Sequence, residues 1–271
     1  MYKNFLILAS RKDPAGVNIV TQLAQFQKDS PQKFFDVVLA ENELIYTENI
    51  NLEKINQYDF IIFASRHVSE KKEKTLSVHA PGNWKKADFG GKPGIVCKTS
   101  AIFQKEIMKK LDETAKFFHL RKYNISLECT HHGPLIDKPC IFIEIGSTEE
   151  EWKDSKAGFI VAKTIFDVLK DIKENPYNEV AIGIGGPHYC PNFNKIQIKS
   201  NVAISHIIPG YSLPLTEEMV KEALDKTEEE VDFALLDWKG IGNSDERKRI
   251  IEILDKFYIR HKKVSEIKKG Y

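Results

Sequence analysis

Short apolar runs alternate along the chain with longer segments of helical period, and this rhythm predicts an α/β fold. Several of the runs are apolar on both faces, as the central strands of a sheet covered by helices are. We therefore predict a mostly parallel or mixed sheet flanked by helices. The predicted strands are 4–9, 34–40, 59–64, 94–97, 125–129, 140–145, 180–184, 202–208 and 233–236.

Capping residues indicate where the helices between these strands begin. Asp13 followed by Pro14 is typical of an N-cap and a first helical turn. Ser147 and Glu150 have the spacing of a capping box in front of another helix. The remaining predicted helix starts lie at Ser100, Thr216 and Ser244.

The domain organisation predicted from these patterns is simple. No internal repeat or long linker interrupts the chain, so we predict a single α/β domain over residues 1–271. Residues 66–93 have no clear periodicity and are expected to form a loop-rich insertion beside a site. The segment 210–271 is a candidate C-terminal subdomain.

Composition and charge narrow the functional classes. The 271 residues are 42% hydrophobic and carry a net charge of +1, which favours a folded protein and argues against one that mainly coats nucleic acid. No apolar run is long enough to span a membrane, so we expect a cytoplasmic protein. The segment 247–271 has nine basic and three acidic residues, which gives either a surface for phosphates or a solvated helix.

The four cysteines form no CxxC pair, which argues against a disulfide scaffold and against a zinc ribbon. The GxGxxG spacing of a dinucleotide site is absent, and so is the GxSxG turn of serine hydrolases. A cysteine nucleophile at Cys190, activated by a nearby histidine, stays open.

Polar side chains follow several predicted strands. Histidine residues come after the third, fifth and seventh runs, and ligands bind near strand ends in open parallel sheets. These groups are therefore expected to converge. Because neighbouring side chains of an extended chain point to opposite sides, at most one of His131 and His132 is expected to face a given site.

Two ionisable residues lie inside apolar strands and need partners. Glu144 lies between two isoleucines, and His206 lies between Ser205 and Ile207 in an otherwise apolar strand, where an unpaired charge costs several kcal/mol. Imidazole, carboxylate and thiol groups together form a ligand set that zinc accepts. The candidate zinc ligands are His131, His132, His188, Cys190 and His206.

Seven sequence blocks resemble a known family. The largest are ECTHHGP at 128–134, EIGSTEEEW at 144–152 and GIGGPHYCPNF at 183–193, accompanied by SRHVS, VHAPGNW, SHIIPGYSLP and ALLDWKG. From about Ser65 to Gly240 the chain resembles the archaeal and plant type of D-aminoacyl-tRNA deacylase. The resemblance implies a phosphorylase/hydrolase-like α/β fold, related to peptidyl-tRNA hydrolase. It also implies a zinc-dependent hydrolase that cleaves the ester between a D-amino acid and the 3′ end of tRNA.

Hydrolysis of an ester with the help of zinc assigns a role to each of the clustered residues. The predicted catalytic residues are His132, His188 and Glu144, with Glu144 accepting a proton from water or orienting a ligand. Backbone N–H groups of Gly185 and Gly186 are expected to stabilise the oxyanion. Terminal bases of the tRNA are expected to stack on exposed aromatic rings, and lysine side chains to contact phosphates. The candidates for these contacts are Trp84, Tyr189, Phe193, Lys85, Lys86, Lys262 and Lys263.

Two other functions stay open at this point. A zinc amidohydrolase or peptidase acting on a small molecule would use the same sheet and metal. A non-catalytic RNA-binding protein would use the basic C-terminal segment, but it would leave the clustering of histidines unexplained.

Overall fold

The strands form two sheets in the computed structural model, which describes residues 2–28, 30, 32–47, 55–171 and 179–268. The first sheet contains β1 (Phe5–Ser10), β2 (Phe35–Ala40), β3 (Phe60–Val68), β4 (Thr75–His79), β5 (Asn124–Leu127) and β6 (Cys140–Ser147). The second contains β7 (Glu179–Ile184), β8 (Val202–Ile208), β9 (Phe233–Leu236) and β10 (Arg260–Lys263). The helices are α1 (Pro14–Lys28), α2 (Ala101–Phe117), α3 (Glu149–Trp152), α4 (Ser155–Asp171), α5 (Pro191–Lys199), α6 (Glu217–Asp225) and α7 (Ser244–Lys256).

The two sheets differ in strand direction. The first has the order β2-β1-β3-β6-β4-β5, and its β4 runs antiparallel to β6 while its other pairs are parallel. The second has the order β10-β9-β7-β8 and is parallel throughout. The predicted mixed α/β architecture is confirmed, although it is divided between two sheets.

The main hydrophobic core lies on one face of the first sheet and extends to the second. Ile62 of β3, Val78 of β4 and Ile143 of β6 pack there with residues from α1, α2 and α4. Helix α2 also packs against β8, so it contacts both sheets. A smaller core, formed by β7 and β9 with α6 and α7, includes Val220 and Ile250. One face of β3, β4 and β6 is thus committed to packing.

Three of the predicted helix caps form as expected, and in one of them the Thr216 hydroxyl accepts a hydrogen bond from Met219 N–H at 3.3 Å. The Asp13 Oδ1 atom accepts hydrogen bonds from the N–H groups of Ala15 and Gly16 at 2.9 and 3.0 Å. The Ser100 hydroxyl accepts one from Phe103 N–H at 3.0 Å. Each side chain thereby satisfies N–H groups that have no partner within the helix.

Other sequence predictions were wrong in position. The capping interaction joins Thr148 and Glu151, one residue later than predicted, and Asn243 rather than Ser244 caps α7. Residues 94–97 make a single isolated bridge at Val96 instead of a strand, because neighbouring turns prevent a ladder. Two strands were missed. Strand β4 lies inside the predicted loop-rich insertion, and the charged sequence of β10 concealed its pairing with β9. The division into one domain with a subdomain at 210–271 stays a prediction.

The described helices include none with both the length and the apolar character required to cross a bilayer.

Candidate active site

Ionisable side chains gather on the face of the first sheet that does not carry the main core. Ser65 of β3 and Ser77 of β4 both lie beside Glu144 of β6 in the ladder. Because side chains alternate between faces, His67 and His79 share this face with Glu144. His67 lies two residues further along β3 and His79 two residues further along β4. Since these strands run in opposite directions, the two rings approach Glu144 from opposite ends.

A close approach between β3 and β6 makes room for one of these rings. Gly146 is paired with His67 in the ladder. A Cβ atom at Gly146 would lie 2.7 Å from both Cβ and Cδ2 of His67. Any larger residue at this position would therefore displace the imidazole.

The segment that follows β5 forms the second wall of the site. Backbone N–H groups fix it at three successive residues: Glu128 donates to Val78 at 3.0 Å, Cys129 to His188 at 2.9 Å and Thr130 to Ile207 at 3.1 Å. The first bond ties the segment to β4, and the last ties it to β8. This segment therefore joins the two sheets at the site.

His131 and His132 both face the same cavity, which corrects the prediction that only one would. Their ring centroids are 4.4 Å apart, and both rings line the cavity. The reason is local: His132 has a φ of 44°, so the chain is not extended there and the alternation of side chains is broken.

Glu128 contacts three imidazoles. Its carboxylate is buried, with Oε2 lying 3.1 Å from His188 Nε2 and 3.5 Å from His131 Nε2. Its Oε1 lies 3.3 Å from His67 Nδ1. Burial alone raises the pKa of Glu128, but the hydrogen bond from His188 and the charge of His67 outweigh it and lower the pKa overall. Glu128 therefore stays ionised.

Glu144 has a similar environment. Its Oε2 lies 3.5 Å from His67 Nδ1, and its Oε1 lies 3.8 Å from His79 Nε2. Burial raises the pKa of Glu144, but hydrogen bonding and charge from the two rings hold it well below its usual range. The site thus holds two buried carboxylates that share His67.

The histidines of the site fall into two electrostatic groups. Burial lowers the pKa of His132 to about 4 and that of His131 well below its ordinary value, so both rings are neutral. Burial also acts to lower the pKa of His188, but Cys129 and Glu128 act in the opposite direction and raise it to about 10. The pKa of His67 is likewise raised, because Glu144 and Glu128 outweigh the effect of its burial.

Three imidazoles have the same hydrogen-bonding arrangement. The Nδ1 atoms of His79, His131 and His132 lie 3.2, 2.9 and 2.6 Å from the backbone carbonyls of Ala80, Cys129 and Gly133. A carbonyl oxygen can only accept, so each Nδ1 carries the proton. In a neutral ring this leaves the lone pair on Nε2, as in metal-bound histidines held by a backbone carbonyl.

The residues available to a metal ion fall into three groups, two of which share His131. Within each group, the ligand atoms all lie within 4.8 Å of one another. Two buried polar atoms here, His79 Nε2 and Glu128 Oε1, accept or donate no hydrogen bond among the described residues, although each lies within ion-pair distance of one other group. Buried atoms with hydrogen-bonding capacity left over fit a site that completes its coordination with a cation. The groups are His79, His131 and His132; Cys129, His131 and His188; and His67, Glu128 and Glu144.

Two tyrosines extend this network towards the surface. The Tyr189 hydroxyl lies 3.0 Å from His67 Nε2. The Tyr211 hydroxyl lies 3.1 Å from Cys129 Sγ and 3.3 Å from His188 Nδ1, and its side chain is exposed. Each tyrosine thus fixes the orientation of one of the two imidazoles whose pKa is raised.

A cavity of about 470 Å³ opens onto the cluster. One part of its lining is the ionisable cluster of His67, His131, His132, Glu144 and His188. The rest is the apolar group Leu44, Ile45, Val68 and Phe89 and the polar group Asp13, Glu43, Ser65 and Arg66, and of the apolar group Val68 and Phe89 are exposed. Such a volume suits a small molecule or the end of a large one.

The structure thus brings four predicted site residues to one cavity, His131, His132, His188 and Glu144, whereas it places two predicted zinc ligands elsewhere. Cys190 is buried, and its thiol lies 3.3 Å from the His188 carbonyl and 3.4 Å from the Pro187 carbonyl. His206 is also buried, and its ring contacts Thr130 Oγ1 at 3.2 Å and the Lys226 carbonyl at 3.3 Å. Neither belongs to the three ligand groups of the described residues.

Some predicted substrate contacts are also corrected. Phe193 is fully buried in the core, and Trp84 is 5% exposed with its indole N–H bonded to the Ile207 carbonyl, so neither ring is free for stacking. The N–H of Gly185 donates to Ile208, which makes it unavailable to an oxyanion. Gly186 packs against Asp237 and is not among the residues lining the cavity. Tyr189, in contrast, does reach the site.

The predicted phosphate contacts lie at the surface but differ in availability. Lys85 donates to the Leu213 carbonyl at 2.8 Å. Lys262 pairs with Glu179 and lies over the Phe233 ring. Lys263 lies over the Trp238 ring, 4.4 Å from its centroid, and lines a second cavity.

Sequence reasoning expected His67 among the converging groups but gave it no role, and it missed His79, Glu128 and Cys129. His79 lay within the segment 66–93, which was predicted to be loop-rich. The alternation of polar Ser77 and His79 with apolar Leu76 and Val78 is the signal that would have revealed β4 and the face on which His79 lies.

Known proteins are similar to this chain over most of its length. A family model described as D-aminoacyl-tRNA deacylase matches residues 54–261. The D-aminoacyl-tRNA deacylase of Thermococcus onnurineus is 37% identical over 87% of this chain and 91% of its own length. That of Archaeoglobus fulgidus is 35% identical over 98% of both. A crystal structure of a conserved protein of unknown function has a TM-score of 0.88 and 32% identity, covering 97% of this chain and 96% of that one. The chain therefore belongs to the D-aminoacyl-tRNA deacylase family.

Proposed function

We propose that the cluster on the first sheet is a zinc centre that hydrolyses the ester bond of D-aminoacyl-tRNA. The chain is a hydrolase of D-aminoacyl-tRNA, the reaction for which its family is named, and it releases the free D-amino acid and tRNA. Of the functions that the sequence left open, membership of this family favours the deacylase. The use of zinc and the residue roles are our proposal.

The observation that carries this proposal is the shared arrangement of His79, His131 and His132. Each is held by a backbone carbonyl at Nδ1, and their ligand atoms lie within 4.8 Å of one another. Three neutral imidazoles are a common ligand set of catalytic zinc, and the nearby Cys129 thiol adds to the preference for a soft cation. Zinc in such a site acts as a Lewis acid and lowers the pKa of water to about 7.

The carboxylates handle protons in this scheme. Glu144 stays ionised and lines the cavity, so it can accept a proton from the attacking water. Glu128 touches His67, His131 and His188 and holds these rings in place. His188 keeps its proton at neutral pH and lines the cavity, where it can donate a hydrogen bond to the oxygen that leaves with the ribose.

We further propose that the tRNA contacts the basic surface around the second cavity, which has a volume of about 580 Å³. Lys195, Lys239 and Lys263 line it together with the carboxylate of Asp237, which accepts a hydrogen bond from Asn192 at 3.1 Å. Asn192 also lines this cavity and is four residues beyond His188, which lines the first cavity. The segment between β7 and the first turn of α5 therefore contributes to both cavities. A cytoplasmic location stays a prediction.

Metal removal tests the zinc proposal directly. Protein stripped with a chelator should lose turnover of D-tyrosyl-tRNA, and zinc should restore it in proportion to the metal that rebinds. Circular dichroism of the stripped protein distinguishes loss of the metal from loss of the fold. Full turnover by the metal-free protein would exclude the scheme.

A further inference from the structure

Phe89 is an exposed aromatic side chain at the mouth of the catalytic cavity. It is 62% exposed, yet it lines the cavity together with Leu44, Ile45 and Val68. The ring belongs to the segment 66–93, which was expected to lie beside a site, but Phe89 itself was given no role. Leaving a phenylalanine ring in water is unfavourable, so its position at this mouth calls for a partner.

The backbone under Phe89 is held firmly against the catalytic wall. The Phe89 carbonyl accepts a hydrogen bond from Gly133 N–H at 2.9 Å, and Gly133 directly follows His132. The next residue, Gly90, has a φ of +72°, and a Cβ there would lie 1.7 Å from the Ile45 carbonyl oxygen. The Asn83 amide donates to the Gly90 carbonyl at 2.8 Å. The ring is therefore presented from a fixed position relative to the histidines.

The geometry of the substrate decides which part reaches this ring. For hydrolysis, the ester must lie beside Glu144 and His188. The amino acid is the end of the substrate and can be enclosed, whereas the ribose and its base continue into the rest of the tRNA and must stay near the mouth. A mostly exposed ring at the mouth is thus placed for the nucleoside.

We infer that Phe89 is a substrate-binding residue that stacks on the base of the 3′-terminal adenosine of the tRNA. Stacking on aromatic side chains is the usual way in which unpaired bases are bound, and its strength does not depend on the amino acid carried. The inference rests on the deacylase activity and is independent of the metal.

Phe89→Ala tests the inference with two tRNA substrates that differ only in the amino acid. The KM for D-tyrosyl-tRNA and that for D-alanyl-tRNA should rise by the same factor, roughly five- to fiftyfold, with kcat little changed. Phe89→Tyr should retain the wild-type KM. An RNA oligonucleotide that ends in CCA and carries no amino acid should inhibit the Phe89→Ala variant more weakly than it inhibits the wild type, by a similar factor.

A small ester and a matched variant complete the test. Hydrolysis of D-tyrosine methyl ester, which has no nucleoside, should be unaffected by Phe89→Ala. Phe117 is 76% exposed and lies at the end of α2, so Phe117→Ala should leave both tRNA substrates unchanged. A rise in KM confined to D-tyrosyl-tRNA would assign Phe89 to the amino-acid side chain and overturn the inference. An equal loss with the methyl ester would also overturn it. Failure of the zinc proposal would appear only in the chelation experiment.

Discussion

The two cavities of this protein lie on different sheets, and they differ in the ionisable side chains that line them. The first lies over a face of the mixed sheet and is lined by imidazoles and carboxylates. The second lies where β9 and β10 of the parallel sheet end, and is lined by Lys195, Lys239 and Lys263. The carboxyl edge of a parallel sheet is the usual ligand site of such folds. In this protein that edge carries the three lysines. The imidazole and carboxylate groups instead depend on the antiparallel β4, which brings His79 to Glu144.

This comparison predicts that changes to the buried imidazole and carboxylate cluster beneath the first cavity act on kcat and that changes to the lysines of the second cavity act on KM. The largest effect is expected for Glu128→Gln, which removes the charge shared by three imidazoles while keeping the shape of the side chain. We expect kcat to fall roughly a hundredfold or more. The measurement is single-turnover deacylation of D-tyrosyl-tRNA.

The matched control for Glu128→Gln is Lys239→Gln in the second cavity, which should keep the wild-type kcat. If Glu128→Gln retained full kcat in a protein of unchanged fold, the carboxylate would have no part in the reaction, and the contrast between the cavities would fail.

Gly146→Ala is the next largest change. The added methyl group would meet His67 at 2.7 Å and push the ring away from Glu144 and Glu128. Because a small misplacement of a catalytic group is costly, kcat should fall roughly ten- to a hundredfold. Adding His67→Ala to Gly146→Ala should cause little further loss, since the ring is already displaced. Additive losses would argue against this explanation.

The double change Lys195→Glu and Lys263→Glu tests the second cavity. The KM for D-aminoacyl-tRNA should rise roughly tenfold, and the slope of log KM against log salt should become shallower by about one unit for each lost phosphate contact. The kcat should stay as in the wild type. Lys116→Glu is the control for net charge. Lys116 lies on α2, where it pairs with Asp112, and it does not line the second cavity. An equal rise in KM for the control would indicate a general effect of charge.

The smallest difference is expected between two neighbours on β10. Lys262 is paired with Glu179, whereas Lys263 lines the cavity. Lys263→Gln should therefore raise KM by a few-fold, and Lys262→Gln should raise it less. A larger rise in KM for Lys262→Gln than for Lys263→Gln would indicate that the RNA binds on the other side of β10.

Sequence predicted those residues of the site that directly follow an apolar run, and it missed the role of those whose position depends on which strands are neighbours. His131, His132 and His188 follow β5 and β7, so their placement after apolar runs was sufficient to group them. Glu144 stood out because a charge inside an apolar strand needs partners. The partners themselves, His67, His79 and Glu128, depend on which strands are neighbours. The insertion of β4 between β5 and β6 is a tertiary choice that hydrophobic periodicity does not encode.

Several residues were predicted to belong to the site but lie elsewhere, and here too the tertiary contacts decided their position. Phe193 and Cys190 flank the first turn of α5, where the amphipathic pattern of the helix turns them into the core. His206 lies on β8, and its hydrogen bonds to Thr130 and Lys226 satisfy it as a packing residue. A ligand and a packed histidine look alike in a single sequence. They differ only in the groups that surround them.

Anomalous diffraction at the zinc absorption edge, from crystals of zinc-loaded protein, tests the central claim most directly. The account predicts an anomalous peak within coordination distance, about 2.0–2.1 Å, of imidazole nitrogens of His79, His131 and His132. Fully loaded, active protein with its only zinc peaks away from this face of the first sheet would contradict it.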